Sequence, residues 1–484
     1  MRGSVSLSAQ FAERLATFRL KEVPKEVVAH AKLLLLDTLG AMLAASNPKY
    51  SATRILIEYA RQVGGRPESS LLGQRGKTSC VNAALVNGTL GYYCDIEPHH
   101  VGGILHAPAV IVPVSLAVGE KLGTSGARLL GAMILGIETT CRVSYALNPT
   151  ALYNRGFHPS AVCGAFGAAA AAGHLFRLDA KKTAIALGLA LQQASGLLAW
   201  ASDPTENSRP FNPGLAARNG VTAASLAWLG FGGPPTPFEG KYDVFTAFSG
   251  ERHPEALLAD WGAHFYVPEF AYKQYSCCSF THPGLDALLA LAREHHLKPA
   301  DVRSILLRFP ISGKHMIDNN ELKSHCAQYI LPVGLVFGGV MIDDILEDRL
   351  RNPDVARLRA ATRMEGDPEL EKAWPEQYAS IVEVTTTDGR TLSCRVDDAK
   401  GTMRNPLTPE EIHAKYLKLA TTVTTTAHAE TIADLAARVD RLPDIADLAA
   451  LLRTYPRKAL AGLRTRRSGD TVRLYSKGTK SVTR

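Results

Sequence analysis

The chain has 484 residues, of which 46% are hydrophobic and 21% charged, and its formal net charge is +8. This length suggests two or three domains, and the composition is ordinary for a globular protein with a sizeable core. We expect no membrane partner, because no apolar stretch reaches about 20 uncharged residues and the first residues lack the compact apolar segment of a signal peptide. The expected location is the cytoplasm.

The eight cysteines are scattered without any CxxC pair, which favours reduced, buried thiols. The positive charge is uneven, since residues 464–484 hold seven Lys or Arg and one Asp and thus carry +6 of the net +8. Such a tail could be a nucleic-acid or partner-binding arm, or a solvated disordered end. We expect the disordered end and no nucleic-acid partner.

Helical periodicity dominates the chain to about residue 265. Apolar residues at helical spacing predict helices in FAERLATF and, after Pro24, in KEVVAHAKLLLLDTLGAMLAAS. The run from Ala161 to Gly173 consists mostly of Ala and Gly, whose small side chains let neighbouring helices approach closely. We therefore expect this helix to be central.

The pattern changes after that point. VRSILLRFPI and ASIVEVTTTDGRTLSCRV are rich in strand-forming residues, and Asp388-Gly389 is typical of a hairpin turn. Between them, residues 331–342 are apolar, and residues 343–363 are charged and predicted to be helical. LTPEEIHAKYLKLA then carries the Thr-Pro-Glu-Glu start of another helix.

These elements predict a mostly α fold with a smaller α+β lid domain. The helical domain is expected to comprise residues 1–267 and 405–463. The lid is expected to comprise residues 268–404.

A loop between two apolar helical runs concentrates ionisable side chains, namely Asp95, Glu97, His99, His100 and His106. Burying such groups is costly unless they are paired or used in chemistry. The loop is therefore either part of an active site or a solvated connection that caps two helices. Its spacing matches no metal-ligand signature, so no metal is predicted.

Three histidines share one local design: His106, His158 and His282 each stand one or two residues before a proline. Because proline is favoured at the first helical positions, each imidazole is expected at a helix N-terminus. The partial positive charge there favours anions and disfavours a protonated histidine. A neutral imidazole beside an anion site suits general acid–base catalysis.

Basic side chains supply the second part of the pattern. Arg209 lies in the loop SRPFNPG, and Lys273 lies with Tyr275 at the junction of the two predicted domains, where small-molecule sites are common. Arg offers a planar fork to a carboxylate, and Lys offers a point charge. The chain has no GxGxxG after a strand, Walker loop, GxSxG or HExxH motif, so nucleotide, acyl-serine and zinc-protease chemistry lack support.

Six motifs, in this order, resemble the MmgE/PrpD family, which includes 2-methylcitrate dehydratase, cis-aconitate decarboxylase and iminodisuccinate epimerase. They are LLDTLGAMLAAS, NGTLGYYCDIEPHH with ILHAPAVIVP, GFHPSAVCGAFGAAAAAG, GLAARNGVTAASLAWLGF, KQYSCCSFTHPGLDALL and AKGTMRNPLTPEEIHAKY. The likeness runs from about Val27 to Leu419. It implies a helical domain with an α+β lid, a homodimer, and a site for small di- or tricarboxylates that uses no cofactor.

The resemblance also implies that Asp95, His106, His158 and Lys273 match active-site positions of the family. The chain departs from the family at several positions on the substrate side. Its DIEPHH segment keeps the first Asp and the final His (His100) of a DxDDTH-like motif. The replaced positions are Glu97 and Pro98 for Asp, His99 for Thr, Arg209 for Lys, Asn212 for His, Ile330 for Ser and Val333 for Tyr.

We therefore expect a lyase or isomerase in which His106 or His158 transfers a proton at a carbon α to a carboxylate. Lys273 and Arg209 are expected to hold carboxylates, and Asp95 to orient an imidazole. Further candidate substrate-binding residues are His99, His100, Tyr275 and His282. A dehydratase of the 2-methylcitrate type is favoured, with a decarboxylase of the cis-aconitate type next. An epimerase and a non-catalytic carboxylate-binding protein are the alternatives.

Overall fold

The computed structural model describes residues 6–453, and helices dominate this part of the chain. The helical body is built from two stretches of sequence. Its first stretch contains α1 Leu7–Thr17, α2 Lys25–Ala45, α3 Ser51–Val63, α4 Cys80–Tyr93, α5 Ala107–Leu122, α6 Gly126–Leu147, α7 Pro149–Asn154, α8 Pro159–Phe176, α9 Ala180–Leu191, α10 Ser208–Trp228 and α11 Val244–Phe248. Its second stretch contains α18 Pro409–Ala420, α19 Thr426–Ala437 and α20 Ala446–Arg453.

The intervening segment combines short helices with a small mixed sheet. The helices are α12 His282–Glu294, α13 Ile311–Lys314, α14 Ala327–Phe337, α15 Ile342–Leu346, α16 Pro353–Ala360 and α17 Pro368–Glu371. The strands are β3 Val302–Pro310, β4 Thr362–Asp367, β5 Ser380–Thr386 and β6 Thr391–Val396, in the order β4-β3-β5-β6. In the body, β1 Ser69–Ser70 pairs with β2 Lys77–Thr78.

The mostly α fold with a smaller α+β part is thus confirmed. The domain limits at residues 267 and 405 stay predictions, and the basic tail lies outside the described residues. The prediction of a helix over 343–363 is wrong at its end, because β4 begins at Thr362 and pairs parallel to β3. β4 is a polar edge strand with one neighbour, and a polar TRMEGD sequence gives little strand signal.

Small residues determine how closely the central helices of the body pack. α8 packs against both α6 and α10, and α10 also packs against α4. A methyl group added at Gly88 in α4 would lie 3.1 Å from the Cα of Gly214 in α10, and one added at Gly220 would lie 2.6 Å from the Ala169 nitrogen in α8. These contacts need glycine, so the expectation that the Ala/Gly-rich helix is central is confirmed.

By length and composition, α2 and α8 are two helices that could cross a membrane, although no such stretch was expected. Within the protein, 72% of the apolar window in α2 and 94% of that in α8 are buried. Such burial is also typical of the core helices of a folded domain.

Candidate active site

The C-terminal end of α4 meets the N-terminal ends of α5, α8 and α10 at one place. Arg209, which we expected in a loop, lies in the first turn of α10. α4 ends at Tyr93, and the chain turns at Asp95, whose φ of 50° lies in the left-handed region that Asp tolerates better than most residues. His106 is the N-cap of α5, and His158 is the N-cap of α8. The backbone N–H of His106 donates to the Ser160 hydroxyl at 3.0 Å, which ties these two helix starts together. The predicted helix-start position of these histidines is confirmed.

Asp95 holds two buried cations on one oxygen. Lys273 Nζ lies 2.6 Å and Arg209 Nη1 lies 3.0 Å from Asp95 Oδ1, and all three side chains are buried. Burial alone would raise the pKa of Asp95, but Arg209 and Lys273 outweigh it and hold that pKa well below its usual range. Burial acts to lower the pKa of Lys273, yet the charges of Asp95 and Glu97 outweigh it and raise that pKa. Asp95, Lys273 and Arg209 therefore stay ionised at neutral pH.

The Tyr92 ring lies in the middle of the site. Its centroid lies 4.6 Å from that of His106 and 5.8 Å from that of His158, both in edge-on geometry. The guanidinium of Arg209 lies 5.0 Å from the same ring, within the range of a cation–π contact. Sequence reasoning missed Tyr92, although its position one helical turn before Asp95 places both side chains near the end of α4.

Glu97 is the carboxyl group beside His106. Glu97 Oε1 lies 2.9 Å from His106 Nδ1, although the two atoms are not aligned for a hydrogen bond and neither has another hydrogen-bond partner. Burial raises the pKa of Glu97 to about 7, and burial with the charge of Lys273 holds the pKa of His106 well below its usual value. The contacts of Asp95 are to Lys273 and Arg209, so its expected role in orienting an imidazole stays a prediction.

The His99 ring stacks on the His106 ring at a centroid distance of 5.6 Å and an interplanar angle of 26°. Neither ring nitrogen of His99 has a hydrogen-bond partner, and burial holds its pKa well below the usual value. The backbone of His99 exchanges two hydrogen bonds with Ala271, at 2.9 and 2.8 Å. This backbone pairing joins the acidic loop to the segment that carries Lys273.

His158 and His282 are both buried and uncharged at neutral pH. Burial lowers the pKa of each to about 3. The Nδ1 of His158 lies 3.5 Å from the Asn212 side-chain nitrogen, and its ring lies near the Trp200 indole, with 6.0 Å between centroids. His282 Nε2 lies 3.3 Å from the Cys277 carbonyl oxygen, and Lys273 contributes to its lowered pKa.

Two predicted substrate-binding residues make contacts of a structural kind. The Nε2 of His100 lies 3.0 Å from Glu269, and its Nδ1 accepts a hydrogen bond from the Gly103 backbone at 2.9 Å. The Tyr275 hydroxyl donates to Asp286 at 2.8 Å. These contacts use both ring nitrogens of His100 and the Tyr275 hydroxyl proton, so substrate binding by either residue stays a prediction.

The α+β part also reaches the site, through residues that sequence reasoning did not single out. The Ser324 hydroxyl lies 2.8 and 2.9 Å from the two carboxylate oxygens of Glu206, which lies on the chain just before Arg209. The neighbouring His325 ring lies 5.5 Å from the Trp200 ring, and burial together with Arg209 lowers its pKa to about 3. No local pattern in KSHCAQ marks these residues, because their contacts depend on how distant segments pack.

The described residues thus surround one region with two cations and several neutral imidazoles. Such a set can bind carboxylates and move protons to or from carbon. Within residues 6–453, no group of three or more His, Cys, Asp or Glu side chains is arranged to hold a metal ion.

Comparison with known proteins gives the family context. A cis-aconitate decarboxylase of Aspergillus terreus (strain NIH 2624 / FGSC A1156) is 27% identical over 469 residues, covering 91% of this chain and 94% of that protein. The cis-aconitate decarboxylase of Homo sapiens is 27% identical over 464 residues, covering 93% and 95%. A mitochondrial 2-methylcitrate dehydratase of Yarrowia lipolytica (strain CLIB 122 / E 150) is 25% identical over 239 residues, covering 44% of each chain. Family models of the MmgE/PrpD N-terminal and C-terminal domains match residues 9–257 and 275–441, and the chain therefore belongs to the MmgE/PrpD family.

Proposed function

We propose that this protein is a lyase that acts on a small di- or tricarboxylate through proton transfer at the carbon next to a carboxylate. One observation carries the proposal: Lys273 and Arg209 meet on Asp95 beside two neutral imidazoles, His106 and His158. Removing a proton or carbon dioxide from such a carbon leaves negative charge on the adjacent carboxylate. Fixed cations in a buried site stabilise that charge where it develops.

The roles of the side chains follow from their charge states. Arg209 and Lys273 have N–H groups beyond those that contact Asp95, and these can bind substrate carboxylates. His106 and His158 are neutral, so each can accept a proton on one nitrogen. Both rings contact the Tyr92 ring, at centroid distances of 4.6 and 5.8 Å, which supports a role for the two imidazoles on one substrate. A proton can thus be moved at a carbon bound between them.

Decarboxylation is the reaction we place first, ahead of the dehydration that the sequence alone favoured. The support is that the relatives covering more than nine-tenths of this chain include proteins named cis-aconitate decarboxylase, whereas the 2-methylcitrate dehydratase covers 44%. In decarboxylation the C–C bond breaks, carbon dioxide leaves, and the electron pair stays on the α carbon. A neutral imidazole then donates its N–H hydrogen to that carbon while its other nitrogen takes up a proton. Dehydration begins with proton removal instead: an imidazole takes the α proton, and hydroxide then leaves.

Epimerisation shares the same proton-removal step and is the further alternative. We also propose that the reaction uses no cofactor, that the chain assembles as a homodimer, and that it works in the cytoplasm. The side chains described supply the acid–base groups and cations that this chemistry needs.

The test is incubation of the purified protein with cis-aconitate and, separately, with 2-methylcitrate in D₂O, followed by NMR. Decarboxylation gives carbon dioxide and a product with one carbon fewer and deuterium at the α carbon. Dehydration gives an alkene with loss of the α proton. His315→Ala, which changes an exposed histidine of the α+β part, is the matched control and should behave as wild type. If a panel of polycarboxylates binds but shows neither turnover nor proton exchange, the proposal fails and a carboxylate-binding protein remains.

A further inference from the structure

We propose that Glu97 is a positioning residue that selects the tautomer of His106 and exchanges a proton with it. The inference rests on the proposed function, because it assigns His106 its acid and base forms. It concerns a position where this chain carries Glu in place of the Asp that the family resemblance leads one to expect.

The geometry isolates the pair from other partners. The Glu97 side chain is fully buried, and its Oε1 lies 2.9 Å from His106 Nδ1. His106 Nδ1 has no other hydrogen-bond partner, and the carboxyl oxygens of Glu97 have none outside their own residue. A buried polar atom without a partner is costly, so a small rotation that aligns these two atoms is favourable. Aligned, they share one hydrogen.

Neighbouring rings restrict the His106 side chain to this orientation. The His99 ring stacks on one face of the His106 ring, and the Tyr92 ring contacts it in edge-on geometry. The backbone N–H of His106 is fixed separately by the Ser160 hydroxyl. With Nδ1 directed at Glu97, Nε2 is the nitrogen left for a substrate.

The position of the shared hydrogen decides what Nε2 can do. When Glu97 is ionised, His106 Nδ1–H donates to the carboxylate, and the Nε2 lone pair can accept a proton from carbon. When Glu97 is protonated, its O–H donates to Nδ1, and Nε2 carries a hydrogen that it can give to carbon. A proton taken at Nε2 can pass on from Nδ1 to Glu97, so the ring need not hold a positive charge. The reverse transfer returns Glu97 to its carboxylate form, and all protons balance.

The charges around the pair place this exchange near neutral pH. Burial is the largest influence and raises the pKa of Glu97 to about 7, while the cations Lys273 and Arg209 oppose it and Asp95 adds to it. Further titratable groups near Glu97 or His106 are Cys94 and His99 on the same loop, and Asp37, Lys415, Tyr92 and His158 on helices or their ends. The two forms of the pair are thus both accessible to the working enzyme.

Two readouts test the proposal, one with turnover and one without. The first is the dependence of kcat/KM on pH. In the wild type kcat/KM should change with pH around pH 7, and in Glu97→Gln this change should be absent. That variant should lower kcat by about 10²–10⁴-fold with little change in KM, because it removes proton exchange rather than carboxylate binding. The second is ¹⁵N NMR of histidine-labelled protein without substrate, with the His106 signals assigned by their absence from His106→Gln.

In the NMR experiment the wild-type His106 should change from the Nε2–H to the Nδ1–H tautomer as pH rises through about 7, and Glu97→Gln should hold one tautomer throughout. Glu138→Gln is the matched control, because Glu138 is another buried carboxyl group with a pKa raised by burial, to about 8, and it pairs with Arg142 instead. It should leave both readouts as in wild type. An unchanged His106 titration in Glu97→Gln overturns the proposal.

If Glu97→Gln fails to fold, the Glu97→Asp variant tests the proposal instead, because it keeps a carboxylate at this position. The tautomer change should persist there at a shifted pH, and its loss would contradict the proposed role. The tautomer change could depend on Glu97 in a protein that turns over no polycarboxylate. That result would support the proposed Glu97–His106 pair and refute the assignment as a lyase.

Discussion

Lys273 Nζ lies 2.6 Å from Asp95 Oδ1, although 178 residues separate the two in the chain. Arg209 contacts the same oxygen from a third segment, so one carboxylate fixes the relative positions of three parts of the protein. The three charges are buried and depend on each other. Removal of Asp95 leaves both cations without their shared counter-charge inside the protein.

The first prediction follows for stability. Asp95→Asn should lower the free energy of unfolding by about 3–5 kcal/mol, because two buried cations lose their counter-charge. Urea unfolding at pH 7 measures this. The control is Glu369→Gln, which breaks the exposed ion pair with Lys372 and should cost about 0–1 kcal/mol. Equal costs for the two variants would show that the buried group contributes little to stability.

The second prediction concerns the imidazoles. His106→Ala and His158→Ala should each lower kcat by about 10²–10⁴-fold, the usual size of general acid–base catalysis. Both rings are largely buried, so each variant also leaves a cavity, and kcat is compared at a temperature well below the melting temperature of every variant. The exposed His315→Ala variant serves as control. Full activity in either site variant would remove that histidine from the mechanism.

The third prediction concerns Arg209. Arg209→Lys restores the residue expected from the family but removes a planar group that contacts both Asp95 and the Tyr92 ring. We expect the ratio of kcat/KM values for different polycarboxylates to change more than the melting temperature does. Lys273→Ala, by contrast, should raise KM and lower kcat for all of them. An identical substrate ranking in Arg209→Lys and wild type would count against a role in selection.

The fourth prediction concerns pH. Burial depresses the pKa of His158 to about 3, below its ordinary 6.5, so the unfolded chain binds a proton that the folded protein does not bind between these values. His158 therefore makes stability fall as pH drops from about 6.5 towards 3. Carboxyl groups with raised pKa values, such as Glu97, act in the opposite direction as pH rises through about 7.

As pH falls below 6, the free energy of unfolding should decrease less steeply in His158→Gln than in the wild type. The two slopes should differ by up to about 1.4 kcal/mol per pH unit, the value for one proton that only the unfolded chain binds. Urea titrations between pH 6 and pH 4 give the slope, with His315→Gln as the exposed control. An unaltered slope would mean that His158 is protonated in the folded protein.

The fifth prediction concerns metal. Turnover should survive exhaustive chelation, because the proposed chemistry relies on imidazoles and on the cations Lys273 and Arg209. The measurement is activity and metal content before and after treatment with a strong chelator. Stoichiometric zinc or iron whose occupancy tracks activity would replace the acid–base mechanism with Lewis-acid chemistry.

Local patterns were enough to predict the helix starts at His106 and His158, since a following proline indicates such a start. They also predicted β3 and the β5–β6 hairpin, which carry apolar, strand-forming residues. Tyr92 and His325 could not be found in this way, because their place in the site arises from the packing of α4 and of the segment before α14. The contacts of Asp95 could not be predicted for the same reason, because the cations that it pairs with come from distant segments.

The return of the chain to the helical body after the sheet has a consequence for synthesis. Lys415 in α18 is buried, pairs with Asp37 in α2 at 2.8 Å, and donates to the Ile96 carbonyl at 2.7 Å. Ile96 stands between Asp95 and Glu97. A chain emerging from the ribosome therefore lacks this support for its acidic loop until residue 415 has been made and has left the exit tunnel. The acidic loop therefore acquires its final support only after α18, which is made 319 residues later than Ile96, packs against the helical body.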